Sequence, residues 1–154
     1  MNNYEHTETG WVIISVTGAA CLVLALTALI APPCGGASGL WLGAGVLAVS
    51  LPLFYNLTVT VDQGSLTLRF GAGLIRRTVP LSDIVSVGAA KSGRLCGWGI
   101  HYAGGGWLYN VNSRELVELR LRSGGRLLIG TDDQAGLLAA LAGLPRHDLP
   151  AAGK

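Results

Sequence analysis

Four aromatic side chains, Trp98, Tyr102, Trp107 and Tyr109, fall within twelve residues, with His101 between them and Gly97, Gly99, Gly104, Gly105 and Gly106 interspersed. Tyr and Trp join a large apolar body to one polar tip, which suits a core and a recognition surface equally. If this segment is extended, alternation puts Trp98, Ile100 and Tyr102 on one face and Gly97, Gly99 and His101 on the other. The aromatic face is expected to enter a core, with the glycines marking bends or close backbone approach. The opposite face is then open to a partner. The candidate partner-binding residues are Gly99 and His101 together with Trp107 and Tyr109, and the partner class is an unidentified protein.

The second candidate is the adjacent basic pair Arg76 and Arg77. Near a membrane such a pair attracts anionic headgroups, at about 1 kcal/mol per charge. Alternatively, it charges an exposed sheet edge against unwanted pairing. Catalytic chemistry has little to build on. His6, His101 and His147 are scattered, and no Ser–His–Asp order, paired acids or phosphate loop is present. The chain is therefore expected not to be an enzyme and to carry no cofactor and no metal. It has no basic stripe for a nucleic acid.

The elements that must hold these residues fall into two materials. Residues 9–57 contain no Asp, Glu, Lys or Arg, whereas residues 58–154 hold all eleven Lys and Arg and seven acids, a net of +4. Two apolar runs, Trp11–Ala31 and Leu40–Leu57, match the roughly 20 residues needed to cross a bilayer. They are expected to form a two-helix transmembrane hairpin over residues 11–57, turned at Pro32–Gly39 and preceded by a ten-residue head. Trp11, Trp41, Phe54 and Tyr55 sit where interfacial aromatics belong. The turn lacks Lys and Arg, while Arg69, Arg76 and Arg77 follow the second run. Both termini are therefore expected on the cytoplasmic side. Gly39, Gly43, Ala44 and Ala48 form small-residue rows on the second run, and Thr17, Cys21 and Ala25 a row on the first. Such rows let helix backbones approach closely. They serve either packing within one chain or a homo-oligomer seam, and the short turn favours the first. Cys21, Cys34 and Cys96 fall in three different environments and form no disulfide framework.

From Leu57 onward the period becomes two. Leu57–Val61 and Leu66–Phe70 read as a hairpin across Asp62-Gln63-Gly64. Further strands are expected at Ile75–Val79, Ile84–Gly88, Trp98–Tyr102 and Trp107–Val111. A last hairpin pairs Leu116–Arg122 with Arg126–Thr131, with Val117, Leu119 and Leu121 inward and Glu118, Arg120 and Arg122 outward. Thr131 and Gln134 have capping-box spacing before a helix carrying Leu137, Leu138, Leu141 and Leu144 on one stripe. Gly143 and Pro145 are expected to stop it, and residues 146–154 to form a disordered tail. The expectation for 58–145 is a small all-β barrel or two-sheet domain closed by a C-terminal helix.

The segments Leu57–Asp62 and Thr78–Val87, with Pro80-Leu81-Ser82-Asp83-Ile84 inside the second, together with the final helix, resemble bacterial pleckstrin-homology-like (PH-like) domains. The runs Gly97–Tyr102 and Gly106–Val111 are similar to segments of uncharacterised bacterial two-span PH-like membrane proteins. The resemblance implies an inner-membrane, membrane-anchored binding or scaffolding module. The other reading is a small accessory or sensor subunit of a transport or envelope complex acting through its hairpin. The first hairpin turn is short and acidic, so the basic headgroup loop of eukaryotic relatives has no counterpart here.

Overall fold

A computed structural model describes residues 4–30, 37–91, 99–103 and 105–145. Gly97, Trp98, Cys34, Cys96 and the tail from 146 onward lie outside the described residues, as does most of the turn between the apolar runs. The described elements are two β-sheets and three α-helices.

The first described element is a strand that hydropathy does not announce. Residues Tyr4–Thr9 form β1, followed at once by helix α1, Trp11–Ile30. Helix α2 covers Ala37–Phe54 and leads directly into β2, Asn56–Val61. β1 and β2 pair antiparallel, with Thr9 opposite Asn56 at the helix end and Tyr4 opposite Val61 at the far end. The amide of Gly10 donates to the Tyr55 carbonyl at 2.8 Å, closing the junction. The two helices are thus an insertion between neighbouring strands, rooted in one ladder without a linker. Residues Tyr4–Thr9 of the expected ten-residue head are part of the β-structure rather than separate from it. A fragment starting at residue 58 would lose β1 and the first two residues of β2.

The first sheet continues through β3, Ser65–Phe70, to β4, Ile75–Pro80, in the order β1-β2-β3-β4. The 57–61/66–70 hairpin expected from period two is present. A 3-10 turn at Leu81–Asp83 leads to β5, Ile84–Lys91. The second sheet adds β6 (Gly99–Ala103), β7 (Gly106–Asn110), β8 (Glu115–Leu121) and β9 (Arg126–Gly130), in the order β5-β8-β9-β7-β6. The β6–β7 hairpin is inserted between β5 and β8 in sequence and joins the far side of β9 in parallel. Without it the second sheet is the antiparallel run β5-β8-β9.

The inner faces of the sheets share one core of Leu57, Val59, Leu66, Leu68, Phe70, Val87, Val117, Leu119, Leu127 and Ile129. Helix α3, Gln134–Ala140, contributes Leu137 to it, and Leu141 follows at its C-cap. Asp133 caps this helix through its carboxylate, which accepts from the Gly136 amide at 2.9 Å. The expected Thr131/Gln134 box does not form. Gln134 instead donates to the carbonyls of Ala90 and Leu116 at 3.0 and 2.6 Å, tying the helix to β5 and β8. The Thr131 amide, which the box would have used, donates instead to the Glu115 carbonyl at 3.1 Å.

Helix α1 is the one described helix long and apolar enough to cross a membrane, with mean hydropathy 2.5. The apolar part of α2, Ser38–Phe54, is shorter. The second run was expected to reach Leu57, but β2 claims Asn56 onward, and Leu57 is buried in the β core. Phe54 meets the Phe70 ring edge-on at 6.1 Å, so it is a core contact rather than a free interfacial anchor. The helices pack on each other through part of the expected small-residue rows. Ala44 is buried and receives the Cys21 thiol on its carbonyl at 3.4 Å, and Gly43 faces Leu24. Gly39 and Ala48 lie on the exposed side of α2. The helical stripe drifts from a strict four-residue row, because 3.6 residues make a turn.

Candidate interaction surface

Sheet register decides which of the singled-out residues can act together. β6 is an edge strand, with Tyr102 opposite Trp107, His101 opposite Leu108, Ile100 opposite Tyr109 and Gly99 opposite Asn110. Tyr102, Trp107 and Tyr109 therefore share the inner face, while Gly99 and His101 share the outer one. The four expected partner-binding residues are split between the two sides of a sheet and form no single site.

Their burial separates them further. Tyr109 lies in the core, tilted against Phe70 at 6.0 Å, and its hydroxyl accepts from Arg77 Nη1 at 3.2 Å. It is unavailable to a partner. Tyr102 and Trp107, by contrast, are 66% and 45% exposed and form an edge-to-face pair at 6.0 Å. The expectation that Tyr102 enters the core is incorrect. The inserted hairpin carries these two rings past the part of the sheet that the main core covers. Gly99 has φ +93°, a conformation that a side chain strains, and a Cβ there would meet nothing within 4 Å. Its glycine answers to backbone geometry, not to the close approach of another group. His101 is half-buried on the outer face.

The arginine pair also divides by alternation. Arg77 turns inward to Tyr109, with its guanidinium carbon 5.8 Å from the ring centre, whereas Arg76 is exposed opposite Arg69. Arg77 is thus a bridge between the sheets rather than a second lipid-facing charge.

Glu118 was expected to face solvent and instead has 0% exposure. The outer face of the second sheet carries its own small cluster, Leu108, Leu116 and Leu128, and Glu118 sits among these strands opposite Leu128. Arg126 holds its carboxylate in a fork, Nε to Oε1 at 2.8 Å and Nη2 to Oε2 at 2.6 Å, with Arg120 Nε at 3.4 Å. The hydrogen bond to Glu118 secures the charge on Arg126. Two shallow clefts of about 430 and 440 Å³ flank Leu121 nearby, lined by Arg120 and Arg126 on one side and by Arg77, Asp83 and Arg122 on the other.

A polar seam ties the N-terminal strand to the end of the chain. His6 Nε2 meets Asp132 Oδ1 at 2.5 Å, and the Tyr4 hydroxyl donates to Asp133 Oδ2 at 3.1 Å. Burial, then the hydrogen bond to Asp133, raises the Tyr4 phenol well above its ordinary value. Farther along β1 the Ser113 hydroxyl donates to Glu8 Oε1 at 2.7 Å, while Oε2 is buried without a hydrogen-bond partner. None of these contacts is legible in sequence, since the partners lie more than a hundred residues apart. Among the described residues no group of three or more His, Cys, Asp or Glu is placed to hold a metal ion.

Glu8 yields a pH prediction. Burial raises its carboxyl, and the Ser113 hydrogen bond opposes this only in part. The folded state therefore binds the Glu8 proton more tightly than the unfolded chain, whose pKa is about 4.3. This favours folding at low pH, and the benefit fades as pH rises from the unfolded value through the raised folded one. Glu8→Gln should melt higher than wild type at neutral pH and lose that part of the decline. Identical melting curves at neutral pH would show that the Glu8 charge is solvated.

No family model matches the chain, and no curated protein matches it.

Proposed function

We propose that this protein is a membrane-anchored binding module, with both apolar helices in the bilayer and the two-sheet domain held against the membrane face. The observation that carries the reading is the outward surface of the helix pair. Leu22, Val23, Leu26, Leu29 and Ile30 of α1 and Leu42, Val46 and Val49 of α2 are exposed. An apolar surface of this extent is rare on a soluble monomer and marks a membrane or partner site. At 18 residues α2 falls at the lower end of the spanning range. The β domain meanwhile has its own core, to which the apolar helices add only Ile13 and Phe54 at their junction ends.

Two packed sheets ending in one helix also support the PH-like reading, with the β6–β7 hairpin as an addition to it. The exposed Tyr102–Trp107 pair on the edge hairpin is the preferred protein-contact surface, as rigid aromatics give large contact area at low entropic cost. The charge split favours the cytoplasmic side for the domain and an inner-membrane location.

Two measurements on the full chain test this. It should float with pure phosphatidylcholine vesicles and resist alkaline carbonate extraction. A reporter active only in the cytoplasm, fused after Lys154, should be active, and one active only outside should work at Gly36. Extraction by carbonate would overturn the anchor, and the reverse reporter pattern would overturn the orientation.

A further inference from the structure

The β3–β4 turn, Gly71–Leu74, is fastened to the end of α2. Gly71 donates to the Asn56 carbonyl at 3.0 Å, and Ala72 donates to the Pro52 carbonyl at 3.1 Å. These contacts satisfy carbonyls that a helix C-terminus and strand start leave open. A Cβ on Gly71, whose φ is +52°, would lie 2.0 Å from the Pro52 oxygen, so only glycine allows this approach. The turn is thereby held level with the last turn of the helix. At its tip Leu74 is 78% exposed, an apolar side chain without cover.

Immediately behind this tip, Arg69 and Arg76 stand opposite each other on the outer face of the first sheet. Like charges directly opposite destabilise a ladder unless an anion joins them. Neither arginine forms an ion pair with a described residue. Their row passes through Thr58, two residues into β2 from Asn56, hence about 7 Å along the strand from its start at ~3.3 Å per residue. The headgroup region of one leaflet is roughly 5–7 Å deep. Trp11 and Tyr55, at the helix ends of the same junction, are exposed as interfacial aromatics.

We propose that Leu74, Arg69 and Arg76 form a membrane-surface clamp, in which Leu74 enters the boundary of the acyl layer and the two guanidiniums bind anionic phospholipid headgroups. The proposal rests on the anchoring reading above and adds a lipid class and a contact site to it. Arg77, on the opposite face of β4, takes no part.

The test uses the full chain with its three cysteines replaced by alanine and Leu74→Cys carrying an environment-sensitive fluorophore. It is reconstituted in phosphatidylcholine vesicles with and without phosphatidylglycerol. The label should shift to the blue and be quenched by headgroup-labelled lipid, more strongly with phosphatidylglycerol. Arg69→Ser/Arg76→Ser should abolish the difference between the two lipid compositions. Arg69→Lys/Arg76→Lys should keep most of it, and Arg122→Ser, at the far end of the sandwich, should leave it unchanged. Millimolar inorganic phosphate should not reproduce the shift in phosphatidylcholine. A label that stays water-like while the chain still floats would overturn the clamp and leave the anchor standing. A chain that fails to float would remove both. Retention of the composition difference in the serine variant, or a shift with phosphate alone, would also overturn the clamp.

Discussion

Leu137→Asp is expected to abolish cooperative unfolding of the β domain, measured by thermal melting of the full chain in detergent. Leu137 has no exposed surface and sits with Leu141 against the shared core of the two sheets. A carboxylate there would have no partner, and burying such a charge costs several kcal/mol even after its pKa shifts. Domains of this size are stable by only about 5–15 kcal/mol in all. The helix is only seven residues long, and besides the Leu137 contact it is tied to the sheet by Gln134, so losing its buried leucine removes the main apolar contact that seats it. Leu137→Ala should lose about 2–5 kcal/mol and stay folded, because it removes packing without adding charge. Leu138→Asp should cost less, since Leu138 is only partly buried. An unchanged midpoint for Leu137→Asp would show that the helix does not close the core.

Arg126→Ala is expected to cost about 3–5 kcal/mol, the usual penalty for leaving one member of a buried ion pair behind. The stranded group is Glu118, fully buried, with Arg120 Nε on the same strand at 3.4 Å from its carboxylate. A double variant, Glu118→Leu/Arg126→Leu, should recover most of the loss, because replacing both charges by apolar groups removes the desolvation cost together with the pairing. The four-member mutant cycle, read by chemical denaturation, isolates the coupling between the two side chains. A loss below 1 kcal/mol for Arg126→Ala would mean that Glu118 is reached by water and the fork is an ordinary surface pair.

The same glutamate shows where reading by alternation stops. Period two assigned Val117, Leu119 and Glu118 to opposite faces correctly, and the first two do enter the core. Alternation says which face, not whether that face is wet. Glu118 is dry because the outer face of the second sheet has its own cluster around Leu108, Leu116 and Leu128. Tyr102 and Trp107 are the reverse case. They point to the inner side, yet the inserted hairpin places them beyond the core, so Tyr102, which alternation assigns to the interior, stands in solvent beside Trp107. Strand β1 carries no periodic signal for a different reason. Tyr4-Glu5-His6-Thr7-Glu8-Thr9 has no apolar period, and its inward residues are held by hydrogen bonds to Asp132, Asp133 and Ser113.

What the sequence determined by itself was local. It set the apolar character of α1 and α2, the 57–70 hairpin and the 116–130 hairpin, and the leucine stripe of α3. Each depends on residues a few positions apart, and periodicity records them. Tertiary structure alone decided that the head pairs with β2, that the β6–β7 hairpin lies parallel to β9, and that Arg76 and Arg77 part company. It also decided that the β3–β4 turn is held at the end of α2. These features come from contacts between distant segments, whose energy is set by which surfaces meet, and no local pattern carries that information.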